Sequence, residues 1–244
     1  MDTFEDSLVR AWALIAGLDA HLVEIVARSL FVSGTACVIA CTLGLGAGAW
    51  LAVAKFRGRG ALLTVLNTTL ALPSVVVGLV VYLLLSRSGP LGALGWLFSL
   101  KAMVIAQVIL VLPVAAALTR QLVEDVEATS GEQLRSLGAG AALRGLLIAW
   151  DERYALLTVV IACFGRAVSE VGAVMIVGGN MEGFTRVMTT AIALETSKGD
   201  LPLALALGIV LLAVVLLLNA LIALVRRWRL GRVDQPMLQE AAPV

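Results

Sequence analysis

The chain has 244 residues, 60% of them apolar and only 14% charged, with a mean hydropathy of +1.00. Soluble domains run near ~45–50% apolar and ~25% charged, and a water-soluble globule of this length could not hide the aliphatic excess. A cytosolic enzyme, a disordered chain and a disulfide-rich scaffold are therefore excluded, and a polytopic membrane protein is expected. The balance of 18 Lys+Arg against 17 Asp+Glu, net +1, gives no bulk attraction to nucleic acid.

The elements follow in chain order. Met1–Asp6 is acidic, unlike the basic start of a secretory signal, so no cleaved leader is expected. Leu8–Leu18 carries Arg10 and Trp12, is too short to span a bilayer, and is read as an interfacial helix. Five spans follow: Leu30–Ala54 with 25 residues and no charge, Ala61–Ser86 with 26, Ala102–Thr119 with 18, Ala155–Met181 interrupted by Arg166 and Glu170, and Leu201–Val225 with 25. About 20 apolar residues cross a bilayer core of roughly 30 Å. The predicted fold class is an all-α membrane helix bundle. Residues 1–29 form an N-terminal interfacial segment outside the cytoplasm, 30–228 one transmembrane domain, and 229–244 a cytoplasmic tail. No 20–50-residue repeat is visible.

Lys and Arg in the connections set the orientation. Eleven fall on one side, in the 55–59, 120–153 and 226–232 segments, and six on the other. The larger group belongs in the cytoplasm, which places the N-terminus outside and the C-terminus inside. The longest cytoplasmic connection is then Arg120–Tyr154. Within it, Glu132–Gly140 reads as a short amphipathic helix stopped by glycine, suited to lie on the membrane or to dock a partner.

Catalytic signatures are missing. There is no phosphate-binding G-x-x-x-x-G-K-[ST], no G-x-S-x-G and no H-E-x-x-H, so the chain is read as no enzyme, with no cofactor of its own. His21 is the single histidine, and Cys37, Cys41 and Cys163 read as small apolar fillers rather than metal ligands. Gly44 and Gly48, four apart, favour close helix packing. Pro73 and Pro113, inside spans two and three, predict bends.

Arg166 and Glu170 are also four apart, hence on one helix face. A charge near the bilayer centre costs at least ~2.5–3.5 kcal/mol, so neither faces lipid. They form an internal ion pair, line a water-filled path, or do both. Arg166 is the only basic residue inside a span, so it is the point charge available to an anion. Gly178, Gly179 and Asn180 should end the fourth helix in left-handed backbone. Thr185 is expected to cap a further short helix running to about Ser197, whose free N–H groups would suit an oxyanion; a polar loop with an interfacial helix is the other reading.

These residues resemble the permease subunit of an ABC importer. That family carries a cytoplasmic motif of the form EAA-x-x-x-G-x9-I-x-LP. Here Glu132, Gly138 and Ile148 keep its spacing, while Gln133-Leu134 replaces the two alanines and Trp150-Asp151 replaces Leu-Pro. The segment from Phe164 through Arg166, Ser169, Glu170 and Gly172 to Asn180 resembles the Glu-(Phe/Val)-Gly-Ala stretch of tungstate, molybdate and sulfate permeases. Its continuation Thr185–Asp200 is most similar to the tungstate branch. The resemblance implies a second permease copy in a homodimer, a pair of ATP-binding subunits that use ATP and Mg, and an extracytoplasmic oxyanion-binding protein. The implied setting is the bilayer of the plasma (inner) membrane, and the implied cargo is tungstate, with molybdate or sulfate as the alternative. An ion-coupled secondary transporter is the rival from another class. The expected ATPase-coupling residues are Glu132, Leu134, Leu137, Gly138 and Ile148. The expected path and gate residues are Arg166, Ser169, Glu170, Gly172, Gly178, Gly179, Asn180, Thr185, Thr189 and Thr190.

Overall fold

The computed structural model describes residues 4–233, with side chains over 5–224. Among these residues the chain is helical, with no strand. The order is α1 (Phe4–Ala16), α2 (Ala20–Val53), α3 (Arg59–Leu70), α4 (Ser74–Leu85), α5 (Leu100–Ser136), α6 (Ala141–Asp151), α7 (Arg153–Val168), α8 (Gly172–Gly178), α9 (Met188–Lys198) and α10 (Leu201–Val233). By length and composition α2, α5 and α10 are apolar enough to cross a membrane, and the count reaches five when each bent pair, α3/α4 and α7/α8, is one span.

The backbone of the bundle is α2 laid along α5. Their contact is close because small residues face each other. A Cβ on Gly44 would come within 2.6 Å of the Ala115 Cβ, and one on Gly48 would strike the Ala116 carbonyl oxygen. Gly44 and Gly48 thus serve packing inside the chain. Around this axis the core divides into apolar clusters. Met103, Val174, Val177 and Val81 join α4, α5 and α8. Ile25, Val168, Met188 and Leu207 join α2, α7, α9 and α10. Cys37, Cys41 and Cys163 sit in a third cluster with Ala40, Ala115 and Ala167. All three thiols are free and buried, as expected of fillers.

Several sequence expectations are refined. The two prolines differ: Pro73 stands at a 99° break between α3 and α4, whereas α5 runs as one helix through Pro113. The interfacial helix begins at Phe4, earlier than expected, and packs against α10. Glu132–Ser136 is not a separate short helix; it is the last turn of α5, which ends where Gly138 takes φ +82°. The separate short helix is α6, with Leu143, Leu146 and Trp150 exposed and Ile148 buried. Of the predicted tail 229–244, residues 234–244 lie outside the described residues.

Candidate functional site

The fourth span is broken. α7 stops at Val168, α8 starts at Gly172, and the two meet at 56°. A break inside a bilayer disturbs backbone pairing that water cannot replace, so a tightened turn and nearby side chains supply it: the Glu170 N–H donates to the Ala167 carbonyl at 3.2 Å and the Ser169 N–H to the Gly165 carbonyl at 3.3 Å. Gln107 of α5 donates its amide to the Ala167 carbonyl at 3.0 Å. The Ser169 hydroxyl donates to the Gly165 carbonyl at 3.0 Å. Thr189 of α9 donates to the Glu170 carbonyl at 2.7 Å. The Ala173 N–H donates to Glu170 Oε1 at 3.2 Å.

The second break lies beside the first. α4 and α8 run side by side from their respective breaks, in contact through Gly78 against Ala173. Gly172 is packed so tightly on Ser74 that a Cβ would come within 2.8 Å of its hydroxyl. Ser74 also stands beside the Glu170 carboxylate. Glu170 therefore ties α7, α8, α4 and α9 together at one point.

Arg166 Nη1 donates to Glu170 Oε2 at 2.7 Å. The pair is asymmetric: the Arg166 side chain is 42% exposed and that of Glu170 only 4%. The carboxylate is turned into the protein and the guanidinium outward. There Gly165 and Arg166 of α7 and Ser169 just after it face Val215, Leu218 and Asn219 of α10 across a groove of about 300 Å³. A cation, a hydroxyl and an amide on an otherwise apolar groove wall can receive an anion from water without presenting it with the paired carboxylate.

The remaining predicted residues form a packed lid over one end of the bundle. Gly179 (φ +69°) and Asn180 (φ +49°) end α8 as expected. Thr185 does not cap α9; Val187 holds that position and Thr190 Oγ1 accepts its N–H at 3.2 Å. Thr185 instead donates to the Gly178 carbonyl at 2.5 Å and accepts from the Met181 N–H at 3.0 Å. Asn180 donates to the Thr190 carbonyl at 3.2 Å. Arg186 is buried 3.5 Å from both Glu182 and Glu195. Arg28 clamps the segment to α2 by donating to the Arg186 and Gly183 carbonyls. The structure therefore brings Arg166, Ser169, Glu170 and Gly172 together, with Thr189 bonded to their backbone, and places Gly178, Gly179, Asn180, Thr185 and Thr190 beside them.

At the opposite end, Gly138 and Leu137 form an exposed turn between α5 and α6, with Leu137 82% exposed. Glu132 is exposed on α5, while Leu134 and Ile148 pack beneath it with Val123 and Val53. The turn is held by a carboxylate that sequence reasoning passed over. Glu127 accepts from Arg144 Nε at 3.1 Å and from Arg135 at 2.9 Å, and Arg144 also donates to the Ala139 carbonyl at 2.9 Å. Nearby, Glu124 is paired with both Arg120 and Arg59, which fastens α3 to α5. Gln107, Ser74 and Asn219 were also missed. Gln107 and Asn219 carried a signal, as lone amides in uncharged apolar runs.

No family model matches the chain. It is 42% identical over 217 residues to the "Probable anion ABC transporter permease protein" of Haloferax volcanii, covering 87% of this chain and 94% of that protein. It is 40% identical over 222 residues to the tungstate uptake system permease protein TupB of Peptoclostridium acidaminophilum, covering 91% and 97%. The molybdenum transport system permease protein ModB of Escherichia coli is 29% identical over 86% of this chain and 96% of its own length. Identity of this extent over nearly whole chains, on an all-helical bundle with apolar spans, makes this protein a multi-pass membrane subunit that belongs to the ABC transporter permeases.

Proposed function

We propose that this chain forms the membrane path of an ATP-driven importer for a tungstate-like oxyanion. The observation that carries the reading is the 40% identity to a tungstate uptake permease over 91% of this chain. Supporting it, Arg166, a basic residue at the break in the fourth span, stands on an open groove with its counter-charge turned inward. Molybdate and sulfate are tetrahedral dianions of the same class, and discrimination among the three falls mostly to an extracytoplasmic binding protein.

Two copies of the chain, a pair of ATP-binding subunits that use ATP and Mg, and that binding protein make up the transporter. The excess of Lys and Arg puts the α5–α6 turn and the C-terminus in the cytoplasm and the α9 segment outside. Glu132, Leu134, Leu137, Gly138 and Ile148 then meet the ATP-binding subunit. Closure of that subunit pushes on the turn. α5 is continuous from the turn to Gln107, a rod of roughly 44 Å, and Gln107 holds the Ala167 carbonyl at the break in the fourth span. A shift of α5 therefore reaches the groove without any intervening flexible link, and alternating access follows as rocking of the packed helices.

The test is uptake of radiolabelled tungstate, molybdate and sulfate by vesicles containing the whole complex, with and without ATP. ATP-dependent accumulation of tungstate supports the reading. Accumulation driven by an ion gradient without ATP overturns it.

A further inference from the structure

The Glu170 carboxylate has an environment built for an anion. It receives the Arg166 guanidinium at 2.7 Å and the Ala173 N–H at 3.2 Å, with the Ser74 side chain beside it. It is almost fully buried, while the arginine it holds is nearly half exposed on the groove. The oxyanion cargo and Glu170 thus compete for one guanidinium, from opposite sides.

A path must attract its ion enough to admit it and hold it weakly enough to let it leave. An uncompensated guanidinium beside an apolar wall would bind a dianion too firmly for rapid passage, because charge attraction strengthens as the local dielectric falls. A buried carboxylate on the far side of the same guanidinium cancels part of that field and keeps one of its donors occupied.

Taking Arg166 as part of the path, as proposed above, we infer that Glu170 sets how tightly the path holds its oxyanion: it is the residue that makes release fast. Its main-chain position also explains why the carboxylate stays in place while Arg166 exchanges partners. Glu170 is anchored on both sides, by the Thr189 hydroxyl on its carbonyl and by the Ala173 N–H on its side chain. Arg166 has a long flexible stem and, among the described residues, a single carboxylate partner.

The experiment uses the purified permease–ATPase complex without binding protein, equilibrated with radiolabelled tungstate, and the complete transporter in vesicles. Glu170→Gln keeps an oxygen to accept from Ala173 and removes the charge. The expected result is at least ~10-fold stronger retention of tungstate, a several-fold lower maximal uptake rate, and more ATP hydrolysed per anion imported. Arg166→Gln should abolish retention and impair uptake. If Glu170→Gln assembles and retains tungstate as the parent does, while Arg166→Gln is impaired, the inference fails and the path reading stands. If Arg166→Gln retains and transports like the parent, the path reading itself fails. Should Glu170→Gln not assemble, Glu170→Asp keeps the charge but draws it back from Arg166. Stronger retention by that variant supports the inference, and unchanged retention overturns it.

Discussion

Gln107 and Ala167 meet at 3.0 Å, the α5 side-chain amide donating to a carbonyl at the break after α7 that also accepts the Glu170 N–H at 3.2 Å. The same amide nitrogen lies 3.4 Å from the Ser33 hydroxyl of α2. One side chain therefore joins three helices at the point where the fourth span changes direction. This contact links the docking turn to the groove, and it is where a mutation far from either should be felt.

Replacing Gln107 by Leu removes the side-chain donor to the Ala167 carbonyl, which keeps the Glu170 N–H at 3.2 Å. A lost hydrogen bond costs about 0.5–1.5 kcal/mol, and polar contacts between membrane helices average nearer ~0.6 kcal/mol. A loss of about 1 kcal/mol is expected, seen as a midpoint lower by roughly 2–4 °C in thermal unfolding of the detergent-solubilised protein. Transport should fall further than stability, because the link along α5 is cut. An unchanged midpoint with unchanged uptake would remove Gln107 from the mechanism.

The glycines of α2 should behave differently from one another. Gly44→Val and Gly48→Val drive side chains into Ala115 and the Ala116 carbonyl, at a cost of about 1–3 kcal/mol or more. Gly46, with nothing within 4 Å of its added Cβ, should accept Ala with a change inside about 0.5 kcal/mol. Yield of folded protein by fluorescence-detected size exclusion separates the three.

At the docking turn, Glu127→Ala strands the buried Arg144, and losing one partner of such a pair costs about 3–5 kcal/mol. Arg135, 45% exposed, is the weaker arm, and Arg135→Ala should cost no more than about 1 kcal/mol. Limited proteolysis near residues 137–140 should accelerate strongly in the first variant and little in the second.

Gly138 adopts φ +82° with open space around it. Gly138→Val therefore strains only the backbone, by about 1–2 kcal/mol, and should leave the permease inserted. The expected defect is weaker co-purification of the ATP-binding subunit or ATP hydrolysis uncoupled from uptake. Normal values for both would take the turn out of the coupling site.

Orientation can be read with introduced thiols, since Cys37, Cys41 and Cys163 are all buried. Asp125→Cys should label only from the cytoplasmic side and Glu182→Cys only from outside, as both positions are exposed. The reverse pattern would invert the topology and remove the docking role of the α5–α6 turn.

What the residues determined by themselves is what depends on neighbours along the chain. Uncharged runs of about bilayer length mark the spans, glycine at residues 138 and 179 marks helix ends, and the spacing of Arg166 and Glu170 places them on one face. Each rests on a local period or a local φ preference, so no distant contact was needed. Burial and pairing depend on what arrives from elsewhere. The 99° break at Pro73 and the unbroken passage through Pro113 involve the same residue type in similar apolar runs; the packing of whole helices separates them. The Arg144–Glu127 contact spans 17 positions and Gln107–Ala167 spans 60, so neither has a periodic signature. Which member of the Arg166–Glu170 pair faces the groove was undecided in the sequence. It was settled when α4, α8 and α9 brought Ser74, Ala173 and Thr189 around Glu170 and left the guanidinium on the open side.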